Sequence, residues 1–193
     1  MKISYFFIAL VASFGISTAQ AKKTVPLETA TLAGGCFWGM EEFFRKIPGV
    51  TETQVGFIGG TVDNPKYADT HDGHTGHAEA VEIKFDPTKV SYDFLLDQFF
   101  KMHDPTTKNR QGNDTGTQYR SAIFYQNEKQ KTEAAQFMKK VERSKAWGAP
   151  LMTELAPATR FWPAEPEHQG YLVTNRGGYD NHHLRKLNFD EKK

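Results

Sequence analysis

The sequence predicts a sandwich of helices and strands, of the α/β or α+β class. Three observations carry that prediction. Apolar residues recur at the two-residue period of strands in some segments and at the 3.6-residue period of helices in others. These segments interleave along the chain rather than gathering by type. No internal repeat, low-complexity tract or Pro/Gly/Ser linker divides the 193 residues, so one domain is expected. With 38% hydrophobic residues, among them 15 Phe, 7 Tyr and 3 Trp, the chain can bury a substantial core.

Residues 29–33 (Thr-Ala-Thr-Leu-Ala) read as a first strand, ending at Gly34-Gly35. A helix is expected from near Cys36, because Phe37, Met40, Phe44 and Ile47 recur at helical spacing and Pro48-Gly49 stops it. Val55 to Ile58 is an apolar run of strand length, closed by Gly59-Gly60. Residues 61–76 are rich in Gly, Pro, Asn, Asp and Thr and are expected to form a loop. Residues 77–85 alternate, with Val81, Ile83 and Phe85 on one face and Glu82 and Lys84 on the other. The same parity puts His77 and Glu79 on the apolar face, an unusual place for a carboxyl group. Ser91 is suited to cap a helix running to about Met102, with Asp93 in its first turn. Arg120 to Tyr125 reads as a strand, and Asn127 with Gln130 resembles a capping box for a helix to about Ser144. Leu151 to Leu155 is a further candidate strand. The remainder is aromatic, proline-dotted and irregular, with a short helix expected after Glu165.

The first residues have a different purpose. Lys2 is followed by an apolar stretch from Ile3 to Ile16 and then by Ala19-Gln20-Ala21. A basic start, an apolar centre and an Ala-x-Ala site describe a secretory signal peptide over residues 1–21. An N-terminal membrane anchor is the alternative, although the run falls short of the roughly 20 residues that span a bilayer. Residues 22–193 are then the single mature domain, expected outside the inner membrane and most simply in the periplasm. The whole chain carries 24 Lys and Arg against 23 Asp and Glu, and losing Lys2 leaves the mature part formally neutral. That balance excludes the basic surface of a non-specific nucleic-acid binder. One cysteine excludes an internal disulfide framework and any multi-cysteine zinc site.

A lone cysteine is often a small buried hydrophobe, but the flanks of Cys36 point to chemistry. Gly34-Gly35 precede it, Gly39 follows, and the position is the expected junction of strand and helix. Glycines there permit a sharp turn and close approach of another molecule. A helix N-terminus offers unpaired N–H groups and partial positive charge, so a lowered thiol pKa is expected.

Gly35-Cys36-Phe37-Trp38-Gly39 resembles the active-site signature of the A-type peptide-methionine sulfoxide reductases. Further segments resemble that family in order: Val55 to Gly60, Asn64-Pro65-Lys66-Tyr67, Thr75-Gly76-His77-Ala78-Glu79, His103-Asp104-Pro105-Thr106, Gly112-Asn113-Asp114-x-Gly116-Thr117-Gln118-Tyr119-Arg120-Ser121, and Ala164-Glu165-x-x-His168-Gln169-x-Tyr171-Leu172. The likeness runs from residue 28 to about 173. It implies a ferredoxin-like two-layer α/β sandwich with an irregular C-terminal segment, acting as a monomer. It also implies reduction of methionine S-sulfoxide to methionine, with no bound cofactor or metal and with reducing power from a thioredoxin-like protein or a small thiol.

That reaction needs a nucleophilic thiol, a neutral acid near the sulfoxide oxygen and an apolar niche for the methyl group. Cys36 supplies the thiol. Glu79 suits the acid, since burial raises a carboxyl pKa. Tyr67 and Tyr119 can add O–H donors toward the oxygen. Asp114 lies in a Gly-rich loop, where Asp commonly makes a turn; the resemblance implies that it organises hydrogen bonds around Cys36 and the tyrosines. Phe37 and Trp38 would wall the methyl niche. After attack Cys36 becomes a sulfenic acid. With no second cysteine, an outside thiol must resolve it. Two other chemistries are expected to fail: a metal site at His71, His74 and His77 or at His182-His183, whose spacing is not that of a zinc site, and a Cys–His hydrolase pairing Cys36 with His77 or His168.

Overall fold

Strands form where Val, Ile, Phe and small residues alternate, and helices where apolar residues return every three to four positions. In the computed structural model, which describes residues 25–190, they follow one another as β1 (Glu28–Gly34), α1 (Phe37–Phe44), β2 (Val50–Ile58), α2 (Tyr67–Thr70), β3 (Ala78–Phe85), α3 (Tyr92–Met102), β4 (Arg110–Gln111), β5 (Asp114–Thr115), β6 (Ser121–Tyr125), α4 (Glu128–Ser144), β7 (Glu154–Pro157), β8 (Trp162–Pro163) and α5 (Tyr171–Thr174). The export segment expected over residues 1–21 lies outside the described residues. This is a mixed α+β fold, with one central sheet flanked by helices. Among the described residues no helix is long and apolar enough to cross a membrane.

The sheet has six strands in the order β7-β6-β1-β3-β2-β8. β7 runs parallel to β6; the other neighbours are antiparallel. Side-chain parity divides its two faces. Ala30, Leu32, Val55, Phe57, Val81, Ile83, Phe85 and Ile123 enter the main core with Phe37, Met40, Phe44, Leu96, Phe99, Phe100 and Phe137 of the helices. The opposite face carries smaller residues, Ala33, Ala78, Ala80 and Ala122, with Ile58 and Phe124, beneath Ala156, Ala158 and Phe161.

Antiparallel pairing gathers the strand ends that matter. Leu32 pairs with Val81 and Gly34 with Ser121, while Ile58 pairs with Ala78. The ends of β1 and β2 therefore meet the starts of β3 and β6. Cys36, Glu79 and Tyr119 lie at those ends, and the chain leaving β2 carries Tyr67.

The boundaries are close to expectation and differ for identifiable reasons. Ser91 caps α3 by accepting from the Phe94 N–H at 3.1 Å. Asn127 caps α4 by accepting from the Gln130 N–H at 2.9 Å. Gln130 does not close a capping box on Asn127; its Oε1 accepts from the Gln126 N–H at 3.0 Å and its Nε2 donates to the Thr29 carbonyl at 2.8 Å, tying α4 to β1. α1 ends at Phe44, with Ile47 in the following turn. β2 extends back to Val50 because its polar first half pairs with β3 at the solvent side. The expected loop 61–76 contains α2, whose first N–H groups find Asp69 at 2.8 Å from Lys66 and Glu165 at 3.2 Å from Tyr67. That second partner is 98 residues away, so no local pattern announces the helix. The strand expected at 151–155 forms two to three residues later, where β7 pairs with β6. After Glu165 come a 3-10 turn (Pro166–His168) and α5.

Candidate active site

β1 delivers the chain into a tight turn at Gly35, whose φ of +104° is open to glycine and strained for other residues. Cys36 then caps α1 with non-helical angles and is only 6% exposed. The N–H groups of Trp38 and Gly39 donate to its sulfur and favour the thiolate. They do not prevail. Burial is the largest influence, and the neighbouring Glu79 and Asp114 carboxyls act the same way, so the thiol pKa is pushed up. The lowered pKa expected from sequence is thus corrected. The helix terminus acts as foreseen, but desolvation outweighs it.

Glu79 projects from β3 into the helix-covered face, as its parity requires, and is 1% exposed. Its Oε2 accepts from the Phe37 N–H at 3.1 Å, so it is anchored to the residue after Cys36. Its Oε1 has no partner among the described residues. Burial drives its pKa up, the Phe37 hydrogen bond opposes, and Asp114 adds to the rise; the result is about 8. The carboxyl is therefore protonated at neutral pH. Since Oε2 is the acceptor, the proton belongs on Oε1, which has no acceptor for it among the described residues.

Aromatic rings surround this pair. Phe37 is fully buried and packs against Tyr67 (centroids 6.1 Å) and Trp38 (6.4 Å), so it backs the site from beneath. Trp38 is half-buried. It stacks on Tyr171 at 3.9 Å, and its Nε1–H donates to His168 Nδ1 at 3.2 Å. Tyr67 packs on His168 at 4.2 Å. The Tyr67 and Tyr119 pKa values are both pushed up, first by burial and then by Glu79 and its neighbours, so both phenols remain O–H donors. Cys36, Glu79, Tyr67, Tyr119 and Asp114 are thus within electrostatic reach of one another. Tyr119 lies in a 3-10 turn (Thr117–Tyr119) just before β6.

Sequence reasoning gave no role to several residues here. Glu165 and Tyr171 lie 129 and 135 residues beyond Cys36 and reach the site only through tertiary packing. Gln169 anchors that segment, accepting from the Val55 N–H at 2.9 Å and donating to the Val55 and Ala164 carbonyls. Glu41, buried in α1, accepts from the Gly170 N–H at 2.7 Å and from Thr53 Oγ1 at 3.1 Å. Residues 179–182 were missed as well: Asp114 accepts from Tyr179 and Asn181. One signal for them is Gly39. A Cβ there would run into Asp180 and His182, so glycine makes room for the segment.

His77 and His168 are engaged in structural contacts. Both ring nitrogens of His77 are engaged, Nδ1 by the Gly60 N–H at 3.1 Å and Nε2 by the Val62 carbonyl at 2.8 Å. His168 is held by Trp38. Neither pairs with Cys36 as a hydrolase would require. Among the described residues no group of three or more His, Cys, Asp or Glu is placed to hold a metal ion.

A family model described as peptide methionine sulfoxide reductase matches residues 28–193. A peptide methionine sulfoxide reductase MsrA of Nocardia farcinica is 53% identical over 156 residues, covering 81% of this chain and 89% of that protein. Among solved structures, Mxr1 from Saccharomyces cerevisiae in reduced form gives a TM-score of 0.78 at 35% identity, covering 83% of this chain and 93% of that one. The same yeast protein in complex with Trx2 gives a TM-score of 0.57 at 26% identity, covering 89% and 99%. This chain therefore belongs to the peptide methionine sulfoxide reductases, thiol-dependent oxidoreductases, as a member with a single cysteine.

Proposed function

We propose that Cys36 attacks the sulfur of methionine S-sulfoxide, free or in oxidised proteins, while Glu79 protonates the departing oxygen. The observation that supports this most is the nearness of the lone thiol to a buried, protonated carboxyl group whose free oxygen has no partner among the described residues. A sulfoxide oxygen placed there completes the missing hydrogen bond. Tyr67 and Tyr119 steady the charge that develops on that oxygen, Asp114 organises the polar side of the site, and Trp38 over Phe37 receives the methyl group.

The step balances. Two electrons pass from the Cys36 sulfur to the sulfoxide sulfur, whose S–O bond breaks. The oxygen ends on Cys36 as a sulfenic acid, its hydroxyl proton coming from Glu79. Glu79 lends a proton to the oxygen and recovers one from the thiol, so no outside acid is consumed. An external thiol then displaces water from the sulfenic acid to give a mixed disulfide, and a second thiol releases Cys36. A thioredoxin-like protein suits this role; the yeast relative in complex with Trx2 supports that reading.

The finer fold assignment follows the same reading. The order β6-β1-β3-β2, all antiparallel, with α1 and α3 as the two crossovers, supports a ferredoxin-like core. We further propose export by the segment at residues 1–21, a mature single domain over 22–193, periplasmic residence and a monomeric state, in keeping with the Ala-x-Ala site and the lone thiol.

The decisive assay incubates the protein with each methionine sulfoxide epimer and dithiothreitol. The S epimer should be consumed by the wild type and not by Cys36→Ser. Turnover by Cys36→Ser, or none by the wild type with either epimer, would refute the proposal.

A further inference from the structure

Asp114 carries a carboxylate close enough to influence Cys36, Glu79, Tyr67 and Tyr119. Among the described residues its side chain receives hydrogen bonds from one source only, the C-terminal segment. Tyr179 Oη–H donates to its Oδ1 at 2.8 Å, and Asn181 Nδ2–H donates to its Oδ2 at 2.9 Å. The Asn181 amide also donates to the Gln111 carbonyl at 3.0 Å, so it grips both strands of the β4–β5 hairpin. The next residue continues the attachment, His182 Nε2 lying 2.9 Å from the Gly34 carbonyl, two residues before Cys36. Beyond it, the Arg185 N–H donates to the Lys101 carbonyl at 3.0 Å and Phe189 is buried against Phe137. This segment is docked along its length. Its fit depends on Gly39 and on Gly112, whose Cβ would approach Asn181 to 3.3 Å.

We propose that Tyr179 and Asn181 are positioning residues for sulfoxide reduction, acting through Asp114. The inference rests on the reading of Cys36 and Glu79 given above. The physical reason is direct. A carboxylate with both oxygens bound is fixed in direction, and the effect of its charge on a buried group depends steeply on distance. Among the described residues Asp114 is the carboxylate whose charge raises the Glu79 pKa. The other titratable groups converging on this corner are the Cys36 thiol from the start of α1, Tyr67 from α2, Tyr119 from the turn before β6 and Tyr179 itself, pushed up to about 12 by burial and by Asp114. Releasing Asp114 from its two donors lets it turn toward water. Glu79 then loses part of the push that keeps it protonated.

The test is a double-mutant cycle read by single-turnover reduction of methionine sulfoxide across pH. Asp114→Asn should move the alkaline limb of the rate, near pH 8 in the wild type, to lower pH. Asn181→Ala should move it the same way by roughly half a unit and slow the step roughly ten-fold, an effect in the range of coupled neighbours. In the Asp114→Asn background, Asn181→Ala should add nothing. Tyr179→Phe keeps the ring, loses only the donor, and should give a smaller shift of the same sign even if Asn181→Ala folds poorly. Asn181→Ala and Tyr179→Phe that leave the limb in place while Asp114→Asn moves it would overturn this proposal alone. A purely structural role would lower Tm and rate additively without moving the limb, with the same consequence. An Asp114→Asn variant with the wild-type profile would instead overturn the assignment of Asp114 in the site.

Discussion

Glu79 combines a catalytic asset with a stability liability. Its pKa in the folded chain is about 8, against an ordinary 4.5. Between those values the unfolded chain releases a proton that the folded chain keeps. Stability therefore falls as pH rises through that window, by up to about 1.4 kcal/mol per pH unit. Below it both states are protonated, and above it the slope ends. Glu79→Gln keeps an acceptor for the Phe37 N–H and cannot ionise. It should unfold at higher denaturant concentration than the wild type at pH 8 and at a similar one at pH 4. A variant whose stability relative to the wild type is the same at pH 8 as at pH 4 would contradict the raised pKa. The sequence made this residue legible through parity alone, because an acidic residue in register with Val81, Ile83 and Phe85 has to face the core. The Cys36 pKa was not legible in the same way. The helix terminus can be read from Gly34-Gly35 and the apolar spacing, but the depth of burial comes from tertiary packing.

At the scale of elements, the site is a meeting of strand ends. The turn from β1 into α1 supplies Cys36, β3 supplies Glu79 and the approach to β6 supplies Tyr119. These elements, with α3 and α4, follow from local pattern and from the Ser91 and Asn127 caps. Asn127→Ala should lower stability by about 1 kcal/mol in urea unfolding and leave sulfoxide reduction intact, since it lies at the far end of the sheet from Cys36. The long-range ties were not legible. Gln169 bridging Val55 and Ala164, Glu165 on Tyr67 and the Tyr171 ring on Trp38 join segments that carry no shared periodicity. Gly39→Ala tests one of these ties. The added methyl group has to displace Asp180 or His182, so single-turnover reduction should slow while the strands and α3 remain. Unchanged rates would mean that residues 179–182 are not needed at the site.

At the scale of the whole molecule, one thiol has to serve a full catalytic cycle. Without reductant, each chain should form one methionine and then stop. Mass spectrometry should find Cys36 as a sulfenic acid, trapped by dimedone, with no internal disulfide, because no second cysteine exists. The C-terminal segment, docked through His182, Arg185 and Phe189, leaves the work of resolution to an incoming thiol. Steady-state turnover should then rise with thiol concentration. Substantially more than one methionine per chain would show a reductant bound within the protein.

The central claim is that a protonated Glu79 delivers the proton as Cys36 attacks. Its most direct test is the single-turnover rate of methionine S-sulfoxide reduction, measured from pH 5 to 10, for the wild type and Glu79→Gln. The account predicts a wild-type rate that falls above about 8. It predicts a Glu79→Gln rate roughly a hundred-fold lower or less, without that limb, the gap narrowing as the wild type loses its proton. Equal rates, or a wild-type rate that keeps rising through pH 9, would contradict it.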